Sequence, residues 1–333
     1  MPRLPHILSL MLLWLFAGAA TAAEPPKPTS YLLATATSGG TYYPVGVAIA
    51  ALTKAKAEGV GLSAITSAGS AENIALLNKN EVQFAILQGL YADWARTGTG
   101  PFSEPAGENL MAVTALWPNI DHWLTVSGAV KSNTLDGLKD EDGLSLSIGK
   151  RNSGAEGSGR VLLKAAGIEV ADDHFSLVYQ GYGQAADALQ NGTIDIANMP
   201  AGAPVSAVTR AMAARKGRLK ILNISDDVLA ALKAERPFFR RHVLPKGTYP
   251  GQTEDVMTTA QPNLLAVRAD TPEEHVYQVT KAIYQNLSLL KAAHKATVAM
   301  DVHEATVGLP LPLHPGAARY FREMGVLESN TAP

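Results

Sequence analysis

The sequence predicts an α/β protein built as two lobes of similar design, each a mostly parallel sheet flanked by helices, with a cleft between them. Three observations carry that expectation. A unit of apolar strand, Gly-rich polar loop and helix recurs along the chain. The same grammar returns about 112 residues further on, in the manner of a second lobe. Finally, 333 residues exceed a comfortable single core, since domains run to about 100–150 residues.

The elements follow in order. Tyr31 to Ala36 reads as a buried strand, Thr37-Ser-Gly-Gly-Thr41 as its loop, and Pro44 to Ala57 as a helix stopped by Gly59. Pro44 suits a first helical turn, where its missing N–H would be unpaired anyway. Gly61 to Thr66 gives a second strand, Ser67 to Ser70 a loop, Ala71 to Asn78 a helix and Val82 to Leu87 a third strand. The return copy runs from the strand Leu144 to Ile148 through the loop Gly149 to Gly154 to a helix from Glu156 to Ala166, closed by Gly167. Leu189 to Ala197 matches Leu77 to Ala85 in its order of helix end, turn and strand. Chance likeness between two βα units is the competing reading, because such joints resemble one another.

Met111 to Trp117 and His122 to Ser127, separated by Pro118-Asn119, suit a segment crossing between lobes, and Asn263 to Arg268 its return. The expected lobes are residues 24–116 with 268–333, and residues 117–267, the return falling between about 225 and 268. A last helix should start at Thr271-Pro-Glu-Glu274, a capping box with Pro at the first helical position. Its residues Val276, Val279, Ile283, Leu287 and Leu290 form one apolar stripe. A Pro-rich tail from Gly308 ends in a short amphipathic segment.

Residues 1–23 read as a secretory leader, with Arg3, an apolar stretch from Ile7 to Phe16 and small residues at positions 20–23. A retained anchor is the alternative, but the stretch falls short of the roughly 20 residues that span a bilayer. Beyond it the chain carries 27 basic and 30 acidic side chains. Without a basic stripe, that balance argues against nucleic acid or anionic lipid as partner. There is no Cys, so thiol nucleophiles and thiolate metal sites are excluded, and a core of this size needs no disulfide.

Three loops join a strand's carboxyl end to a helix start and combine Gly with a hydroxyl or amide: Ser38 to Tyr42, Ser67 to Asn73, and Asn152 to Glu156. In open α/β sheets ligands sit at that edge, and helix starts offer unpaired N–H groups with partial positive charge. Three such starts on one cleft would hold a carboxylate. Ser70 and Ser153 read equally as plain N-caps, and Glu156 as the capping-box partner of Ser153. Gly39 and Gly40 before Thr41 and Tyr42 favour close approach by a ligand over a simple cap. Gln88, after the third strand, and Tyr182, between Gly181 and Gly183, belong either to the cleft rim or to ordinary loops. Lys150 and Arg151 are the candidates for an ion pair with an anion; the helix starts are preferred because they carry no cation desolvation cost. Enzyme signatures fail: Gly-x-Ser-x-Gly is absent, and His303-Glu304 lacks the second His of a zinc helix. No metal, cofactor or catalytic residue is expected.

On Ser38 to Gly46, Ser67 to Asn73, Asn152 to Glu156, Gly247 to Gln252 and Leu313 to Gly316, the chain resembles the TAXI family of solute receptors for tripartite ATP-independent periplasmic (TRAP) transporters. The motifs keep the family's order over almost the whole chain. The resemblance implies a type II periplasmic-binding-protein fold with a hinge. It implies a monomeric periplasmic receptor for a small organic anion or amino acid, such as glutamate, glutamine or 2-oxoglutarate, delivered to TRAP membrane permease subunits. A sensor that binds a similar solute is the rival. Carried over residue by residue, Gly40, Thr41, Tyr42, Ser70, Asn73, Gln88, Ser153 and Gly154 match positions the family uses around its ligand. Gly89-Leu90 replaces a common Ser-Asp and Ala155 a common Thr, losses of polar groups near the expected cleft that imply a ligand less polar than glutamate or differently oriented; Asn198 to Gly202 also departs from a commoner Thr-Ala-Gly form.

Overall fold

The computed structural model describes residues 27–170, 175–215 and 217–328; the leader expected at 1–23 lies outside them. Two α/β lobes emerge, in the type II periplasmic-binding-protein arrangement. The first lobe opens with strand β1 (Thr29–Ala34), helix α1 (Tyr42–Lys56), β2 (Val60–Ile65), α2 (Ser70–Asn78), β3 (Phe84–Gln88) and α3 (Gly89–Thr97). The long β4 (Leu110–Ile120) then leads out of it. The second lobe holds β5 (Trp123–Val126), β6 (Leu144–Ser147), α4 (Gly154–Ala165), β7 (Phe175–Val178), α5 (Tyr182–Asn191), β8 (Ile196–Asn198), α6 (Ser206–Ala214), β9 (Leu219–Ile221) and α7 (Asp226–Glu235). The chain returns through β10 (Arg240–Leu244) and β11 (Val256–Arg268) and closes with α8 (Glu273–Gln285), α9 (Leu287–Ala293) and α10 (Pro315–Glu323).

In the first sheet the order is β10-β11-β3-β1-β2, with β4 also on β11; in the second it is β7-β6-β8-β5-β9. The strands of the βα units pair in parallel, while β11 runs antiparallel to β3 and β4. Apolar side chains cover both faces of each sheet, which is why β3 reads as a continuous buried run, Phe84 to Leu87.

The cores divide β4 and β11 lengthwise. Leu116, Trp117, Leu265 and Val267 pack in the first lobe, whereas Ile120, Val256 and Ala260 pack in the second. Between these halves Pro118 faces Pro262, Asn119 faces Gln261, and the register shifts between Pro262 and Leu264. Two facing prolines donate no ladder hydrogen bond, so the paired strands are weakest where they pass between lobes. Pro118 and Asn119 thus lie inside one strand, where the sequence suggested a break between two segments.

Two further expectations are corrected. Pro272 takes the N-cap position with ψ 135°, so α8 begins at Glu273, and the Thr271 hydroxyl finds no partner in place of the expected capping box. The apolar stripe after it is also split. Asn286, at φ −125°, ends α8, and its side chain donates to Ala282 O at 3.0 Å, a local bond that competes with helix continuation.

Candidate functional site

The Gly-rich loops place the starts of α1, α2 and α4 against one cavity between the lobes, and α5 adds a fourth start through Gly181 and Tyr182. The fourth was hidden because Gly181 bears no capping side chain; Gln184 instead accepts from its N–H at 3.3 Å. The cavity is narrow, about 40 Å³, against roughly 300–1,000 Å³ for sites that take drug-sized ligands.

Gly40, Thr41, Tyr42, Ser70, Gln88, Ser153, Gly154, Ala155 and Tyr182 all line it. Asn73 does not: its amide is consumed by Thr35 O at 2.8 Å, Ile86 O at 2.9 Å and the Ser67 hydroxyl at 2.7 Å. That amide ties the loop before α2 to β1 and β3. Lys150 is exposed at the cavity edge. Arg151 points elsewhere, its guanidinium 3.7 Å over the Tyr179 ring.

Most hydroxyls at the site are already committed. Thr41 Oγ1 donates to Gly202 O at 2.7 Å, Tyr182 to Pro200 O at 2.6 Å and Tyr42 to Asn263 Oδ1 at 2.5 Å. Ser70 Oγ accepts from Gln88 N at 3.0 Å and Ser153 Oγ from Glu156 N at 3.1 Å. Ser153 is therefore the N-cap of α4, as its sequence allowed, and Glu156 accepts from Asn152 N at 3.0 Å. Burial pushes the Tyr42 and Tyr182 phenols far above their ordinary range, so both remain donors.

The Ser70 and Ser153 hydroxyls keep a hydrogen to donate, and two amides are open as well. Gln88 Oε1 is buried without a partner, and neither amide atom of Asn119 makes a hydrogen bond of good geometry, although the Tyr42 phenol lies beside it; both residues line the cavity. Gln88 is 2 % and Asn119 1 % exposed, and an unpaired amide so buried costs about 1–3 kcal/mol. Asn119 was missed because Pro118-Asn119 reads only as the separator between two apolar segments. Only its pairing with Gln261 across the crossing strands brings it to the cavity floor.

The lobes are shut over this cavity. Gly39 O accepts from Ala207 N at 3.3 Å and Ser206 Oγ at 3.0 Å; Asn152 O accepts from Glu72 N at 3.2 Å, and Ser153 O from Tyr91 at 3.1 Å. Glycine makes the approach possible. A Cβ on Gly39 would lie 2.8 Å from Gly183 N, and one on Gly154 2.6 Å from the Gln88 amide. The departures from the expected motifs also have causes: a Cβ at Gly89 would lie 2.8 Å from the Pro262 ring, so the crossing strand occupies the side-chain space.

A family model for the NMT1-like family matches residues 33–325. The chain belongs to the NMT1-like family. Solved structures similar to this NMT1-like protein share its two-lobed fold at low identity. MatC of Rhodopseudomonas palustris, with bound malate, is 15% identical with a TM-score of 0.55, covering 88% of this chain and 95% of its own. PhnD1 of Prochlorococcus marinus, in complex with methylphosphonate, is 12% identical with a TM-score of 0.53, covering 90% of this chain and 100% of its own. A binding protein component of a phosphonate ABC transporter from Pseudomonas aeruginosa is 12% identical with a TM-score of 0.53, covering 81% of this chain and 79% of its own.

Proposed function

We propose that this NMT1-like protein is an extracytoplasmic receptor that encloses a small carboxylate between its lobes and hands it, chemically unchanged, to a membrane permease. The observation that carries this reading is the convergence of four helix starts on one cavity whose buried amides lack partners. Each start presents about half a positive charge and orphan N–H donors, a setting suited to an anion. Lys150 at the edge adds charge without being buried. The serine hydroxyls at the site accept from backbone N–H groups instead of facing a base, which supports binding without chemistry. Malate and methylphosphonate, bound by two proteins of this fold, are likewise small anions.

The loop motifs favour the TAXI branch and therefore a TRAP permease, with the periplasm as the site of action and a single chain as the working unit. The lobes meet, in this reading, at Pro118-Asn119 and Gln261 to Asn263, with the ligand-binding residues being Gly40, Thr41, Tyr42, Ser70, Gln88, Asn119, Ser153, Gly154, Ala155 and Tyr182. The test is a thermal-shift screen of ligand-stripped protein against carboxylates, phosphonates and amino acids. A ligand at a thousandfold excess over Kd stabilises by about 4 kcal/mol. A screen in which no small anion raises the melting temperature would sink the receptor reading, and a response to phosphonates alone would replace the carboxylate.

A further inference from the structure

If the cleft holds the solute, as proposed above, its lining also limits what that solute carries besides its carboxylate. Among the described residues no Asp or Glu lines the cavity. Of the nearby acids, Glu72 accepts from Ala68 N and Glu156 from Asn152 N, while Asp121, which is not part of the lining, accepts from the Thr259 hydroxyl through Oδ2 at 2.6 Å and keeps a buried Oδ1 without a partner. An ammonium group placed among four positive helix ends, with Lys150 at the edge and no carboxylate opposite, would be desolvated and repelled. The open amides ask for something different. Gln88 Oε1 and Asn119 Oδ1 are acceptors that need a donor, while Asn119 Nδ2 needs an acceptor. The single hydrogen of a hydroxyl serves one of these two acceptors without bringing charge, and a neighbouring carboxylate oxygen takes the N–H. A keto oxygen in the same place would leave both acceptors unpaired. The narrow cavity favours a solute of few carbons.

We infer that the cleft selects a small hydroxy-carboxylate that carries no ammonium group, with Asn119 and Gln88 as the residues that recognise its hydroxyl. Matched sets test this by calorimetric titration of the ligand-stripped mature chain: lactate, propionate and alanine; malate, succinate and aspartate; 2-hydroxyglutarate, glutarate and glutamate. The expected result is that in at least one set the hydroxy acid binds at least tenfold tighter than both companions. An amino acid binding as tightly as its hydroxy counterpart overturns the selectivity while leaving the receptor reading intact, as does equal binding of the unsubstituted acid. Silence across all nine compounds overturns the carboxylate reading itself. Asn119→Leu should bring the ratio of hydroxy to unsubstituted acid down to about one, with binding of both acids weakened because the Asn119 N–H is lost as well. Gln88→Met provides the same readout should Asn119→Leu fail to fold, and a ratio unchanged in a folded variant of either residue overturns its assigned role.

Discussion

At the residue scale, the Thr41, Tyr42 and Tyr182 hydroxyls donate within the protein, while Gln88 and Asn119 carry amide atoms without a partner. Thr41 is the clearest case: its hydroxyl bonds across the cleft to Gly202 O, so it holds the lobes together. Thr41→Val should weaken solute binding about fivefold, the value of one ordinary hydrogen bond near 1 kcal/mol, mainly through faster dissociation. Stopped-flow release measures this, and an unchanged off-rate would remove Thr41 from the latch. The two basic candidates should separate. Arg151→Ala is expected to leave affinity unchanged because its guanidinium rests on Tyr179, while Lys150→Ala should lose a few-fold at low salt and little at 0.5 M, where screening shortens to a few ångströms. A large salt-independent loss in either variant would make this an ion-pair site. Asn119 and Gln88 differ in how they could be read. Gln88 follows its strand directly and can be placed from sequence, but Asn119 becomes a cleft residue only through a pairing 142 positions away, Asn119 with Gln261.

At the element scale, the βα units were legible because each announces itself three times over, in an apolar run, a Gly-rich loop and a helix stop. α3 was not, since it starts directly at Gly89 after β3 without a loop. α9 was merged with α8 because the apolar stripe continues past Asn286 and only a side-chain-to-backbone bond interrupts the helix. The role of the glycines can be tested at this level. Gly39→Ala places a Cβ 2.8 Å from Gly183 N, a contact between two backbones that cannot be relieved by turning a side chain. The variant should fold and melt as the parent does without ligand, yet keep an expanded radius in scattering at saturating solute. Full compaction of Gly39→Ala would show that the lobes close along another line.

At the scale of the whole molecule, two buried ionisable groups sit side by side where the chain enters the second lobe, and they shape stability against pH in opposite senses. Burial pushes the Asp121 carboxyl up to about 7, the Thr259 hydroxyl partly offsetting it. Burial pulls His122 down to about 4, with His242 adding to the effect and the Ile120 carbonyl opposing it. Its ring also meets the Tyr249 hydroxyl at 2.8 Å. For Asp121 the native state holds the proton more tightly than the unfolded chain, so its contribution is present at low pH and is lost as pH rises from about 4 to about 7. For His122 the unfolded chain holds the proton more tightly, so stability rises over about pH 4 to 6.5. The two slopes nearly cancel in the parent. Asp121→Asn removes one, and its stability should then climb by about 3 kcal/mol between pH 4 and 6.5 in urea titrations. A flat profile in Asp121→Asn would show that His122 titrates normally. The closed seam has a separate consequence. Its bonds run largely through main-chain atoms of Gly39, Asn152, Ser153 and Gly202, whereas the discrimination we infer falls to the side chains of Asn119 and Gln88. Descent with modification can therefore redirect such a protein to a new nutrient by exchanging two amides, while the machinery that shuts the jaws is inherited untouched.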